Sequence, residues 1–338
     1  MTEKKPRQPA AALPTPAAIP ALPAATTTRS RYTPVGRTTG PLYPQYERVT
    51  LTEEVPAEVR TQLATAVLGL LNSRYADYTK EGKYTTIEGY DIHPFLLLAL
   101  APMYNVNSPY EVAQHVQISK SSHGDATAWG RFIEERVLRH FGWRTPAEKK
   151  DTTIIPDTTM RRSVAWENID QEHELDIKDC LSGAIHRNRR ILLSLKSGPA
   201  TIKQGDKTGM AHQFPVAYRD AGANPLVVLG VTYGRYERSN KKPDGIIADL
   251  NAPTWFDYMA GKDFWEFATG IRDFHIKVFS VIREAQRAFA AAHKDETFFE
   301  ELVKARLKIA STFREQFLAG AELREGEDFW DALFKSAF

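Results

Sequence analysis

The hydrophobic pattern of this chain changes period once, just after Gly142, and no other feature limits its possible folds as tightly. Upstream, apolar residues recur at helical spacing: Val59, Leu63, Val67, Leu70 and Leu71 predict an amphipathic helix between Pro56 and Tyr75. A second helix is expected from Pro94 through Leu100, and Asn107-Ser108-Pro109 is a start signal for a third reaching about Val116. Beyond a Ser- and Gly-containing joint at Ser119 to Gly124, Trp129, Phe132, Ile133, Val137 and Phe141 define another helix, ended by Gly142. Downstream, Arg162 to Trp166, Glu174 to Asp179 and Arg190 to Ser197 alternate or run apolar as strands do. Pro225 to Thr232 has the continuous apolar character of a strand buried on both faces. A helix is expected from about Gly205 to Asp220, so the order is helix, three strands, helix, strand, an α/β (α+β) arrangement. The aromatic segment Trp255 to Phe267 is expected to pack as core, and Ile271 to Phe317 to be largely helical.

The 338 residues, 42% of them hydrophobic and 25% charged, suffice to bury a sizeable core. Residues 1 to 45 are an exception, rich in Ala, Pro and Thr, with prolines that block a continuous helix and too little apolar surface to offset ordering entropy. They are expected to form a disordered tail. The longest apolar run, Phe95 to Met103, falls short of the ~18 residues that span a bilayer, and no basic-then-apolar leader opens the chain. The expectation is a soluble, non-secreted protein with no membrane partner, and cytoplasmic in a bacterium. Cys180 is the single cysteine, which excludes an internal disulfide and any cysteine-rich zinc site. The net charge of +2 hides an uneven distribution: the first 40 residues carry Lys4, Lys5, Arg7, Arg29, Arg31 and Arg37 against Glu3 alone.

Several fragments fail as catalytic motifs on spacing. Lys207-Thr208 lacks the glycine arrangement of a phosphate-binding loop, and His173-Glu174 meets Ile177 where a zinc-protease helix needs its second histidine. No nucleophile-elbow serine or dinucleotide fingerprint is present.

Two segments carry more chemistry: Glu174-Leu175-Asp176-Ile177 and Ile191-Leu192-Leu193-Ser194-Leu195-Lys196-Ser197-Gly198. Alternate side chains of a strand share a face, so Ser194 and Lys196 point one way while Leu193 and Leu195 point the other. A lysine ending so apolar a strand is costly to desolvate unless something uses it. Asp176, flanked by Leu175 and Ile177, is likewise a carboxylate opposite two apolar anchors. If these strands are neighbours, Asp176 and Lys196 are expected to converge at the sheet edge.

An aspartate in a strand, a hairpin connection, then an apolar strand ending in (D/E)-x-K before a helix is the pattern of the PD-(D/E)xK nuclease superfamily, which this chain resembles over about residues 125 to 235. Gly130-Arg131-Phe132-Ile133-Glu134 is similar to the superfamily's first core helix, where a glutamate joins the metal site. With Lys196-Ser197-Gly198-Pro199 ahead of the next helix, the chain most resembles type II restriction endonucleases. The resemblance implies a restriction-endonuclease-like core of a central mixed sheet flanked by helices. It divides the chain into a tail (1–45), a helical region (46–124), a catalytic core (125–250) and an aromatic-rich, helical C-terminal region (251–338).

By the same resemblance, Asp176, Glu134 and the Leu195 backbone carbonyl would hold Mg²⁺, and Lys196 would position the attacking water and offset charge on the scissile phosphate. Ser194 stands where the family's second acidic residue belongs, so that ligand is supplied by Glu134 or by Asp206. The literal Pro156-Asp157 lacks the apolar flanks of a core strand and is the alternative to Asp176. Arg187, Arg189, Arg190, Lys203 and Lys207 give the surrounding stretch an excess of positive charge suited to DNA phosphates. The implied partners are double-stranded DNA, a second copy in a homodimer and a cognate DNA methyltransferase of a restriction-modification system. Gln213 and Tyr218 in the following helix faintly resemble RecB-like and repair nucleases. Loss of the acid at Ser194 also fits a non-catalytic DNA-binding protein of the same fold.

Overall fold

The computed structural model describes residues 42–79, 84–85, 106, 108–198, 201–234, 241–293 and 298–317. Among them, β1 (Tyr46–Arg48), β2 (Gln171–Asp179), β3 (Ile185–Lys196), β4 (Leu226–Val231) and β5 (Phe256–Ala260) form one mixed sheet in that spatial order. The first two pairings are antiparallel and the last two parallel. The helices are α1 (Ala57–Tyr78), α2 (Pro109–Phe132), α3 (Arg162–Ala165), α4 (Gln204–Asp220), α5 (Lys241–Asp249), α6 (Lys262–Thr269), α7 (Phe274–Ala292) and α8 (Phe298–Phe317). Parallel strands need crossover connections, and α4 and α5 supply those between β3 and β4 and between β4 and β5.

Helices cover both faces of the sheet. On one face, Ile191, Leu193, Leu195, Val228 and Met259 pack with residues of α1, α6 and α7. On the other, Leu192, Val227, Leu229 and Tyr258 pack with Met210 and Phe214 of α4 and Ile246 and Ile247 of α5. β4 is buried at every residue, as its unbroken apolar run requires. Gly230 lets Phe264 lie directly on this strand, since a Cβ there would stand 2.4 Å from the ring.

The sheet curls until its edge strands meet at one end. Asp257 on β5 accepts hydrogen bonds from the Gln45 and Tyr46 amides at β1, each at 2.9 Å, and Tyr46 Oη donates to the Thr254 carbonyl. Arg189 fills the same end, donating to the Asn224 and Pro225 carbonyls and lying over the Tyr46 ring.

Several expectations change. Arg162 to Trp166 is not a strand but the turn α3 and its cap, held by Arg162 and Trp166 side chains that both reach the Asp220 carboxylate. The sheet's outer antiparallel strand is β1, from far upstream. The joint expected at Ser119 to Gly124 lies inside the continuous helix α2, where packing against α8 outweighs a propensity cost of about 1 kcal/mol for one glycine. Ser108 caps that helix by accepting from the Glu111 amide, as its sequence signal indicated. β5, from the segment expected to belong to the C-terminal region, joins the same sheet as β2, β3 and β4. Tyr43 is fully buried, which brings the fold's beginning inside the expected tail, whose residues 1–41 lie outside the described set. The helix expected from Pro94 to Leu100 also lies outside it. No helix among the described residues is long and apolar enough to cross a membrane.

Candidate active site

The register of the β2–β3 hairpin decides which carboxylate meets Lys196. Gln171 pairs with Leu193 and His173 with Ile191, so the residues beyond the end of β2, Asp170 and Asn168, fall opposite Ser194 and Lys196. Asp176 sits near the other end, at a bulge between Leu175 and Ile177. It accepts from the Asn188 amide at 2.9 Å and from Arg187 Nη1 at 2.5 Å. The eight residue-to-residue steps from Asn188 to Lys196 span about 26 Å of extended chain. The expected convergence of Asp176 with Lys196 is therefore incorrect: the strands are adjacent, but antiparallel pairing sends the two residues to opposite ends. The Asn188 amide, and then Arg187, hold the Asp176 carboxyl below the usual carboxylate range.

Asp170 takes the place expected for Asp176. Its Oδ2 accepts from the Leu195 amide at 2.7 Å, and its own amide donates to the Leu193 carbonyl at 2.7 Å. Its Oδ1 accepts from Lys149 Nζ at 3.3 Å. An N–H and a C=O of one strand residue face the same neighbour, so the Leu195 carbonyl also faces the Asp170 side.

Glu134 reaches this end from the opposite direction. A Cβ on Gly130 would lie 3.5 Å from Ser197 Oγ, so α2 approaches the end of β3 closely, and one turn later the helix widens into the π-helical segment Ile133–Val137. Such segments concentrate at functional sites. Burial, and next the negative charge of Asp170, push the Glu134 carboxyl above its ordinary range, while Lys149 and Lys196 oppose the rise. Glu134, Asp170, Lys149 and Lys196 therefore form one electrostatic group. Lys196 is half-buried and, among the described residues, enters no ion pair. Gln213 of α4 borders the group, accepting from Asn168 Nδ2 at 2.6 Å and donating to Glu167.

The other expected residues separate into structural roles. Ser194 is fully buried and its hydroxyl has no hydrogen-bond partner among the described residues; it does share the face of Lys196 by strand alternation. Asp206 caps α4 by accepting from the Lys203 amide at 3.1 Å, which engages the carboxylate considered as a relocated ligand. Asp157 lies exposed in a turn with φ 59°, outside the sheet. Arg189 is buried, and Arg190 binds Glu172 and Glu148 and lies over Trp166, so neither is available to phosphate. Lys207 pairs with Asp249 and Arg187 with Asp176. Lys203 remains exposed. Tyr218 stacks on Trp255, away from the group.

Asp170 escaped sequence reading because it precedes its strand. The hairpin turn at Ser182-Gly183 was the available signal: counting outward from it on both strands pairs Lys196 with the Asn168–Asp170 segment. Among the described residues no three His, Cys, Asp or Glu side chains cluster as a metal site. The donors present are two carboxylates, Asp170 and Glu134, with the Leu195 carbonyl beside them. That hard, all-oxygen set suits Mg²⁺, which commonly takes one or two carboxylates and keeps several waters or substrate phosphate oxygens. Comparison with protein-family models and with curated proteins finds no match for this chain.

Proposed function

We propose that the protein is a Mg²⁺-dependent endonuclease of double-stranded DNA, of the restriction type within the PD-(D/E)xK superfamily. The observation that carries this reading is the grouping of Asp170, Glu134 and Lys196 at the end of the β2–β3 hairpin. The sheet supports it in part: the antiparallel β2–β3 pair, a helical crossover through α4 and the parallel strand β4 come in the expected order, although the outer antiparallel strand, β1, precedes the helices instead of following them.

In this reading Asp170 and Glu134, with the Leu195 carbonyl, hold the cation. When bound, Mg²⁺ supplies charge stabilisation at the reacting phosphate and lowers the pKa of an attacking water. Asp170 is aimed by the Leu195 amide, which fixes its Oδ2. The Lys196 ammonium, in no ion pair among the described residues, orients the water and offsets charge on the scissile phosphate. Action as a homodimer on symmetric sites, a cytoplasmic location and pairing with a DNA methyltransferase belong to the same proposal.

Digestion of a sequenced phage DNA with Mg²⁺ tests it. Discrete fragments are expected, reduced ~100-fold or more by Asp170→Asn and by Lys196→Ala, and unchanged by Asp176→Ala. Full cutting by Asp170→Asn protein overturns the site. The contact of Gln213 with Asn168 beside the group favours a second reading, a RecB-like nuclease. End-dependent degradation instead of bands selects it. DNA retention without strand breaks in Mg²⁺ or Mn²⁺ selects the non-catalytic form that the buried Ser194 suggests.

A further inference from the structure

We propose that the Lys149 ammonium occupies the cation position beside Asp170 and Glu134, and that a divalent cation binds there by displacing it. The inference rests on the metal-site reading above. Lys149 Nζ lies 3.3 Å from Asp170 Oδ1, the carboxylate oxygen left free by the Leu195 amide. The same ammonium is near enough to Glu134 for its charge to act on that carboxylate as well.

The position is built rather than incidental. Lys149 belongs to the 3-10 turn Ala147–Lys150, which is anchored on both sides. Before it, Arg144 and Glu172 exchange backbone hydrogen bonds of 3.0 and 2.7 Å along β2. Within it, Glu148 binds Arg190 of β3 at 2.8 Å. After it, Asp151 binds Arg162 at 2.6 Å. The turn is thus clamped to the sheet while the lysine reaches along it to Asp170. The charges of Asp170 and Glu134 act against each other unless a cation lies near, and Lys149 supplies one. A lysine suits a displaceable occupant, because its compact charge rides on a flexible four-carbon stem that can swing to water. Lys196 enters no such pair among the described residues, so the two lysines differ in what they do. Lys149 balances the ligands, and Lys196 remains available to substrate.

Displacement makes ammonium and metal competitors, so removing the ammonium tightens metal binding. The probe is Mn²⁺, with free ion measured by electron paramagnetic resonance, in the absence of DNA. Lys149→Gln is expected to bind Mn²⁺ about tenfold more tightly than the wild-type chain, the size of one charge-assisted contact. Lys149→Arg, which retains the charge, is expected to bind like wild type, and Asp170→Asn to lose binding. Lys149→Met serves the same comparison if the glutamine variant folds poorly, with circular dichroism as the check. Equal or weaker binding by Lys149→Gln, with wild-type binding intact and lost in Asp170→Asn, overturns the displacement and leaves the metal site standing. Absence of binding by both wild type and Lys149→Gln, or unchanged binding by Asp170→Asn, overturns the metal-site reading and this inference with it.

Discussion

Replacing Asp257 by asparagine should change stability by an amount that depends on pH and reverses within the neutral range. Asp257 is fully buried where β5 meets β1, and its carboxylate oxygens accept from the amides of Gln45, Tyr46 and Tyr258. Those three donors favour the charged form, but burial outweighs them and pushes the carboxyl up to about 7. An unfolded aspartate titrates near about 4. The folded state therefore binds the proton more tightly, so the group's contribution is complete below about pH 4 and declines as pH rises to about 7, by roughly 4 kcal/mol. Asparagine carries no such slope. It keeps a carbonyl oxygen for Gln45 and Tyr258, but sets an amide nitrogen against the Tyr46 N–H that now meets Oδ2 at 2.9 Å. Leaving that buried donor unpaired costs about 1–3 kcal/mol. Below about pH 4 the variant should be less stable by that amount, and less so at pH 5. From pH 5 to pH 8 the difference should shift by about 3 kcal/mol toward the variant, bringing it level with wild type or above. Urea denaturation at both pH values measures this, with effects common to both proteins cancelling in the difference. A stability gap that stays constant from pH 5 to pH 8 refutes the reasoning, because Asp257 then remains ionised and the amide donors outweigh burial.

Two further substitutions probe the scaffold that positions the site. Arg190→Ala removes a guanidinium shared by Glu172 and Glu148 and leaves the buried Glu172 with exposed Arg144, so a loss of about 3 kcal/mol is expected in urea denaturation. Arg190→Lys should recover less than half, since an ammonium lacks the fork that serves both carboxylates, and a loss below about 1 kcal/mol argues against the network. Gly230→Ala forces a Cβ into the Phe264 ring and toward Leu193, and should cost at least about 1–3 kcal/mol, measured as a lower Tm. An unchanged Tm would mean that Phe264 can move off the strand.

Legibility in the sequence followed how local each cause was. β3, β4 and α4 were readable because apolar runs and helical spacing act over a few residues. α3 reads as a strand in sequence because its five-residue pattern carries little period information, and what holds it is Asp220, more than 50 residues away. β1 has three residues and no pattern of its own; its place comes from pairing with Ile177–Asp179 and from Asp257. The basic stretch from Lys178 to Lys207 reads as a phosphate-binding surface in sequence, yet Arg189 and Arg190 are consumed by carbonyls and carboxylates contributed from elsewhere in the chain.

By itself the sequence determined the alternation that puts Ser194 and Lys196 on one strand face and the apolar core of the sheet. Tertiary structure alone decided which carboxylate joins them. Asp170 and Asp176 both belong to the segment leading into or along β2, and local patterning favours Asp176 for its apolar flanks. In an antiparallel hairpin, however, each step outward on one strand is matched by a step on the other, so partners are set by distance from the turn and not by flanking residues. That counting brings Asp170, and with it Lys149, to the end of β3 and leaves Asp176 beside Arg187.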